Sequence, residues 1–162
     1  MNIINYLNIA IVAAMLIPNI FYAVKFRGNK NLCTNKAMKI VEFVGRILCI
    51  LFMAYPVGQR EFGFPSAENF IIYVFGNGIL VAMYIVVWIS YFKKQSAPKA
   101  TVLSIVPPVI FALCGLMLEH WLLVFAAVLF AVGHLYVTAA NGVKKISKKE
   151  QKTQTTEEQK PE

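Results

Sequence analysis

The sequence predicts an all-α membrane protein, a bundle of five transmembrane helices with the N-terminus outside and the C-terminus cytoplasmic. Three observations predict it. Hydrophobic residues make up 58% of the chain and charged residues 15%, and the mean hydropathy is +0.60, which is too apolar for an ordinary soluble domain. The apolar residues fall in five blocks, each close to the roughly 20 residues that a helix needs to cross a hydrocarbon core of about 30 Å. All of the sixteen lysines and arginines except Arg46 and Arg60 then lie in loops or a tail on one side of the membrane, where basic residues hold a chain on the cytoplasmic face.

The first span runs from Ile3 to Val24. It has no positive charge before it and no A-x-A site after it, so it reads as a retained helix rather than a cleaved signal. Polar side chains in a bilayer turn toward the bundle interior. In this span Asn5, Asn8, Val12, Met15, Asn19 and Tyr22 recur at alternating three- and four-residue steps and mark such a face. The loop from Arg27 to Lys36 is polar and rich in Gly and Asn, a connector. The second span, Met38 to Val57, carries Glu42 and Arg46 four residues apart on one face. After the outer loop from Gly58 to Asn69, Pro65-Ser66 reads as a helix start, with Ser66 as cap and Glu68 in the positive end of the helix dipole.

The third span, Phe70 to Phe92, repeats the stripe with Tyr73, Asn77, Leu80, Tyr84, Val87 and Tyr91. The fourth, Val102 to Leu118, contains Pro107-Pro108, which removes two backbone donors and frees the carbonyls of Leu103 and Ser104. A single helix from Val102 to Ala140 is about twice as long as the bilayer is thick, so Glu119-His120 is read as a solvated hairpin turn. The fifth span, Trp121 to Ala140, shows a stripe of Ala127, Ala131, His134 and Thr138, and the three stripes are expected to face one another. Asn141-Gly142 reads as its C-cap. Residues 1–143 thus form the membrane domain, and 144–162, a tail with one apolar residue, Ile146, read as disordered.

The charges fix the orientation. Lys25, Arg27, Lys30, Lys36 and Lys39 follow the first span, Lys93, Lys94 and Lys99 the third, and six lysines lie in the tail. The other side carries Arg60 with Glu61, Glu68 and Glu119. The net charge of +8 is therefore a topology signal, and no basic, aromatic-interleaved domain is present to bind nucleic acid. Cys33, Cys49 and Cys114 have no C-x-x-C spacing, and they read as small apolar packers in two spans and one cytosolic thiol in a loop. No metal site and no cofactor is expected.

Glu42 and Arg46 are the only formally charged pair within a span. A lone mid-helix charge costs roughly 2.5–3.5 kcal/mol on insertion scales, and pairing removes most of that. At 1.5 Å per residue Glu42 and Arg46 lie roughly 6 and 12 Å in from Met38, His134 roughly 13 Å from Val143 and Asn19 roughly 9 Å from Lys25. A carboxylate, a guanidinium, an imidazole and an amide thus share one layer in the cytoplasmic half. With Asn77 from the third stripe, the candidate ligand-binding set is Asn19, Glu42, Arg46, Asn77 and His134, and no residue is assigned a catalytic role.

The segments LIPNIFYAVKF, EFVGRILCILFM, EFGF and HWLLVFAAVLFAVGHLYVT resemble blocks of small, uncharacterised five-span membrane proteins of Gram-positive bacteria. The resemblance covers residues 15–141 and implies a multi-pass protein of a bacterial plasma membrane, with no activity attached. Length and helix number are also similar to the translocator, or tryptophan-rich sensory, family, although Trp88 and Trp121 are the only tryptophans and its Trp- and Pro-rich signature is missing.

Three functions follow as expectations. The first is binding or transport of a small polar or amphiphilic ligand through the polar layer, with Arg46 pairing an anion, Glu42 as counter-ion and His134 as hydrogen-bonding or proton-accepting partner. Five helices make a thin wall, so a homo-oligomer or a membrane partner subunit is expected, besides contact with membrane lipids. The second is an accessory or sensor subunit acting through its loops. The third is an intramembrane lipid-modifying enzyme, which lacks a nucleophile with an adjacent base and a metal triad.

Overall fold

Apolar segments with no water to bond must close their backbone hydrogen bonds internally, and the helix does so within one segment. The computed structural model describes residues 3–25, 33–55, 57–58 and 63–158, with side chains described for 6–25, 33–55, 57–58 and 63–142. The elements are α1 (Ile3–Lys25), α2 (Lys36–Ala54), α3 (Ala67–Lys93), α4 (Ala97–Met117) and α5 (Trp121–Glu158), with no strand among the described residues. Asn35 caps α2 by accepting from the Met38 N–H, and Ser66 caps α3 by accepting from the Asn69 N–H. The Asn5 side chain, Arg60, Glu61, the side chains of the tail lysines and most of the Arg27 to Lys36 loop lie outside the described residues.

Four of these helices are long and apolar enough to cross a membrane: Tyr6–Lys25, Ala67–Lys93, Ala97–Met117 and Trp121–Gly142. The fifth, α2, has 19 residues and carries Lys36, Lys39, Glu42 and Arg46, so composition alone does not mark it as a span. Ile17, Phe21, Phe43, Phe75, Ile79 and Phe125 stand exposed around the outside, an apolar belt that suits hydrocarbon rather than water.

Each helix packs mainly on two others, in the circular order α1, α2, α5, α4, α3 and back to α1. The Tyr73 hydroxyl donates to the Asn8 amide oxygen, and the Asn19 amide donates to the Tyr84 hydroxyl at 2.8 Å. These pairs advance together along both chains, so α1 and α3 are parallel. Cys114 meets Asn77 and Lys99 meets Ser90, which makes α3 and α4 antiparallel. Successive helices alternate in direction, and Lys25, Lys36, Lys39, Lys93, Lys94 and Lys99 gather at one end while Glu68 and Glu119 lie at the other.

The stripes of α1 and α3 do face each other. Asn8, Met15, Tyr73, Asn77, Tyr84 and Tyr91 are buried, and Tyr22 packs on Trp88 and Tyr91 with ring centroids 5.3 and 5.8 Å apart. The α5 stripe differs. Its deeply buried residues are Leu123, Ala126, Ala127, Phe130 and Val137, and they meet α2 and α4 instead of α1 and α3. Polar residues in the Trp121–Gly142 part of α5 are too few to mark its face, and small and aromatic residues define it instead.

The α2–α5 crossing is the most extensive contact in the bundle, and two glycines permit it. A Cβ on Gly133 would lie 2.5 Å from the Glu42 backbone nitrogen, and one on Gly45 would lie 2.6 Å from that of Phe130. Close backbone approach of this kind is how helices associate where lipid removes the hydrophobic drive between them. Cys49, one turn after Gly45 on the same face of α2, is fully buried.

At the far end, α4 turns into α5 through Glu119, which adopts a positive φ of 52°, and the His120 N–H closes back on the Gly115 carbonyl at 2.8 Å. Glu119 is exposed as expected of a turn residue, but His120 is not: it is buried at 1% exposure. Its Nδ1 accepts from the Leu123 N–H at 3.1 Å, serving as the N-cap of α5, and its ring lies against Phe52 of α2 with centroids 5.7 Å apart. Burial pushes the imidazole below its ordinary value, opposed by backbone contacts at His120 and Val57.

Nor does α5 stop at Asn141-Gly142. It continues as one helix to Glu158, through the segment read from composition as a disordered tail. That segment is too polar to build a core, but Lys, Gln and Glu are good helix formers, and a helix already nucleated by the span needs only to propagate.

Two outcomes are expected. Gly133→Ala and Gly45→Ala each lower stability by about 1–3 kcal/mol through overpacking, whereas Gly78→Ala, whose Cβ meets nothing within 4 Å, stays within about 0.5 kcal/mol. Denaturation in mixed micelles checks this, and equal stability of all three variants would refute the close approach. For His120 the folded state binds the proton less tightly than the unfolded chain, so stability is lost as pH falls from about 6.5 toward the lower folded value. Melting followed from pH 8 to 5 should therefore decline more steeply in the wild type than in His120→Asn, which keeps a capping oxygen without a titrating ring. Parallel profiles would count against it.

Candidate functional site

Glu42 and Arg46 lie one turn apart on α2, and the glycine contact brings α5 against that turn. Arg46 Nη2 donates to Glu42 Oε1 at 2.5 Å, and His134 Nδ1 meets the same oxygen at 2.8 Å. An ionised carboxylate only accepts, so the imidazole proton sits on Nδ1. Side-chain exposure is 14% for Glu42, 19% for His134 and 42% for Arg46. The carboxylate is thus the enclosed member, and its two donors reach past it.

Phe130 supports both donors. The His134 ring stacks on it with centroids 4.9 Å apart and 25° between planes, and the Arg46 guanidinium carbon lies 5.5 Å from the ring centroid. Such a cation–π contact contributes about 0.5–2 kcal/mol, depending on desolvation. Phe111 of α4 meets the Phe130 ring edge-on at 6.0 Å. Because Phe130 is one turn before His134 on α5 and its backbone rests on Gly45, the helix crossing fixes the whole assembly.

A cavity of about 50 Å³ opens beside this group. Asn19, Arg46 and His134 supply its polar lining, and Met15, Ile50, Pro107, Phe111 and Phe130 supply apolar walls from α1, α2, α4 and α5. At 10–15 Å³ for each water-sized group, it has room for about four. Glu42 stands behind Arg46 and His134 rather than in the wall.

The Asn19 amide group donates to the Met15 carbonyl and to the Tyr84 hydroxyl, both at 2.8 Å. Its two N–H donors are then used, and its carbonyl oxygen has no hydrogen-bond partner among the described residues. The same holds for His134 Nε2 and for the guanidinium N–H groups of Arg46 that do not reach Glu42. The cavity therefore offers two acceptors and a cationic donor.

Of the candidate residues, Asn19, Glu42, Arg46 and His134 are brought together, and Asn77 is not. Asn77 is buried on α3, donating to the Tyr73 carbonyl and accepting from Cys114 Sγ at 3.4 Å. It lines a separate crevice of about 260 Å³ between α1 and α3. It shares the Tyr84 face, but seven residues of helix place it about 10 Å nearer the other end. Among the described residues no group of three or more His, Cys, Asp or Glu side chains is arranged to hold a metal ion.

Sequence reasoning did not single out Phe130 or the two glycines. The available signal was a small residue beside each polar one, Gly45 before Arg46 and Gly133 before His134, the pattern of close helix contact in membranes. The chain matches no known protein-family model, no curated protein and no solved structure.

A double-mutant cycle tests the geometry. Glu42→Ala combined with His134→Ala is expected to show a coupling of about 0.5–3 kcal/mol in stability. Additivity within experimental error would mean that the two side chains do not share a bond.

Proposed function

We propose that this chain is a five-span membrane protein that binds or moves a small polar solute through the cavity beside Arg46 and His134. The N-terminus is outside and the C-terminus cytoplasmic, in a bacterial plasma membrane. The bacterial setting rests on the resemblance noted above. Support for five spans comes from the alternating helix directions and from α2 itself. Its 19 residues extend about 28 Å, Lys36 and Lys39 sit in its first turn, and Glu42 and Arg46 neutralise each other. Support for the orientation comes from the gathering of described lysines at one end.

The observation that carries the solute reading is the set of unsatisfied polar atoms around one small void. Asn19, Arg46 and His134 line a partly open space whose other walls are apolar, and Asn19 Oδ1, His134 Nε2 and the outer Arg46 N–H groups have no protein hydrogen-bond partner among the described residues. Polar groups left without a protein partner beside otherwise apolar walls favour a hydrogen-bonding occupant, solute or water. The volume favours a solute of few atoms over an amphiphile, since pockets for drug-sized ligands run to about 300–1,000 Å³.

The test is thermal stability in nanodiscs against urea, formamide, formate and nitrate. At least one of them is expected to raise the melting temperature, by the usual linkage between binding and stability, and Arg46→Ala is expected to abolish the rise. No shift with any of the four would sink the reading. For topology, Lys94→Cys should react with an impermeant thiol reagent only after the membrane is opened, and Glu68→Cys before.

A further inference from the structure

We infer that the cavity takes a small monovalent anion together with one proton, carried on His134 Nε2. This rests on the polar-solute reading and names the chemistry of its occupant. The inference follows from counting charge around the void. Arg46 is always cationic, and its guanidinium donates to Glu42 Oε1 at 2.5 Å, a contact that holds Glu42 as the carboxylate. His134, donating through Nδ1, is neutral as long as Nε2 carries no proton. The triad then sums to zero, and the positive charge that would attract an anion is already opposed by Glu42.

An anion entering this group alone would leave a net negative charge in a low-dielectric setting, which is strongly unfavourable. A proton on Nε2 restores neutrality. It also turns the acceptor at that wall into a second donor, so the anion meets Nε2–H on one side and the Arg46 N–H groups on the other. No bond other than N–H forms: the proton comes from solvent and returns there when the anion leaves. Room for about four water-sized groups fits nitrate, formate or a halide with residual water.

Among the described residues no other titratable side chain lines the void. From α2 it is faced by Arg46, with Glu42 behind. From α1 come Val12, Met15, Leu16 and Asn19, and from α4 Pro107 and Phe111. Tyr84 of α3 reaches the group through Asn19 and lies close enough to Arg46 to interact with its charge. Imidazole is the one of these groups whose charge ordinarily changes between pH 5 and 8.

Nitrate is the probe, because it does not itself titrate in that range. Calorimetric titration of the full chain in nanodiscs, at pH 5.5 and 7.5 and in two buffers of different ionisation enthalpy, should show tighter binding at pH 5.5. The gain is at most tenfold per pH unit, and the proton uptake that accompanies nitrate binding, at most one per nitrate, is read at pH 7.5. Glu42→Gln removes the opposing charge and is expected to bind nitrate at pH 7.5 at least as tightly as the wild type does at pH 5.5. His134→Gln is expected to bind weakly at both. Equal wild-type affinity at the two pH values, absence of proton uptake, or pH dependence surviving in His134→Gln would each overturn the inference. If urea or formamide binds in an Arg46-dependent way and nitrate does not, the proton-and-anion assignment falls while the polar-solute reading stands. If none of them binds, both fall.

Discussion

The approach of α2 and α5 through Gly45 and Gly133 is the contact on which the rest of the arrangement depends. Without a side chain at either position the two backbones meet directly, Gly133 on Glu42 and Gly45 on Phe130. The crossing sets both distance and register: Glu42 falls beside His134, and Phe130 falls between Arg46 and the α4 wall. A helix pair held further apart would leave Glu42 and Arg46 as an isolated pair along α2, with His134 out of reach.

That register also explains how a helix with four charged residues joins an otherwise apolar bundle. Enclosed charges are tolerated when each has a partner and the remaining hydrogen-bonding capacity is met. Glu42 has two donors on one oxygen, and Arg46 has Glu42 and the face of Phe130. Lys36 and Lys39 lie in the first turn of α2, beside the lysines of the other helices. The central polar group is thus electrically balanced within the protein, and what it leaves open is hydrogen-bonding capacity rather than charge.

Much of the fold could be read from residue order. Each of the five apolar blocks lies within or along one of five helices, and Ser66 caps α3 as its type and position suggest. The Asn and Tyr stripes of α1 and α3 mark the faces that meet. Those readings succeed because backbone satisfaction, helix periodicity and capping are local. Three readings differ from the structure because their outcome depends on distant residues or on chain continuity. His120 is buried because Phe52 of α2 covers it. The face of α5 is set by α2 and α4, and the helix passes Gly142 because helix propagation does not require a core.

The candidate site divides along the same line. The sequence by itself determined that Glu42 and Arg46 share a face and that Asn19 and His134 lie at a similar depth, since 3.6 residues per turn and 1.5 Å per residue fix both. Depth says nothing of which way around the bundle a side chain points, so the grouping of His134 with Glu42, and the distance of Asn77 from both, were decided only by the tertiary structure. The physical reason is that azimuth and register come from helix packing, here from two absent side chains on α2 and α5, and no one-dimensional pattern within a single helix carries that information.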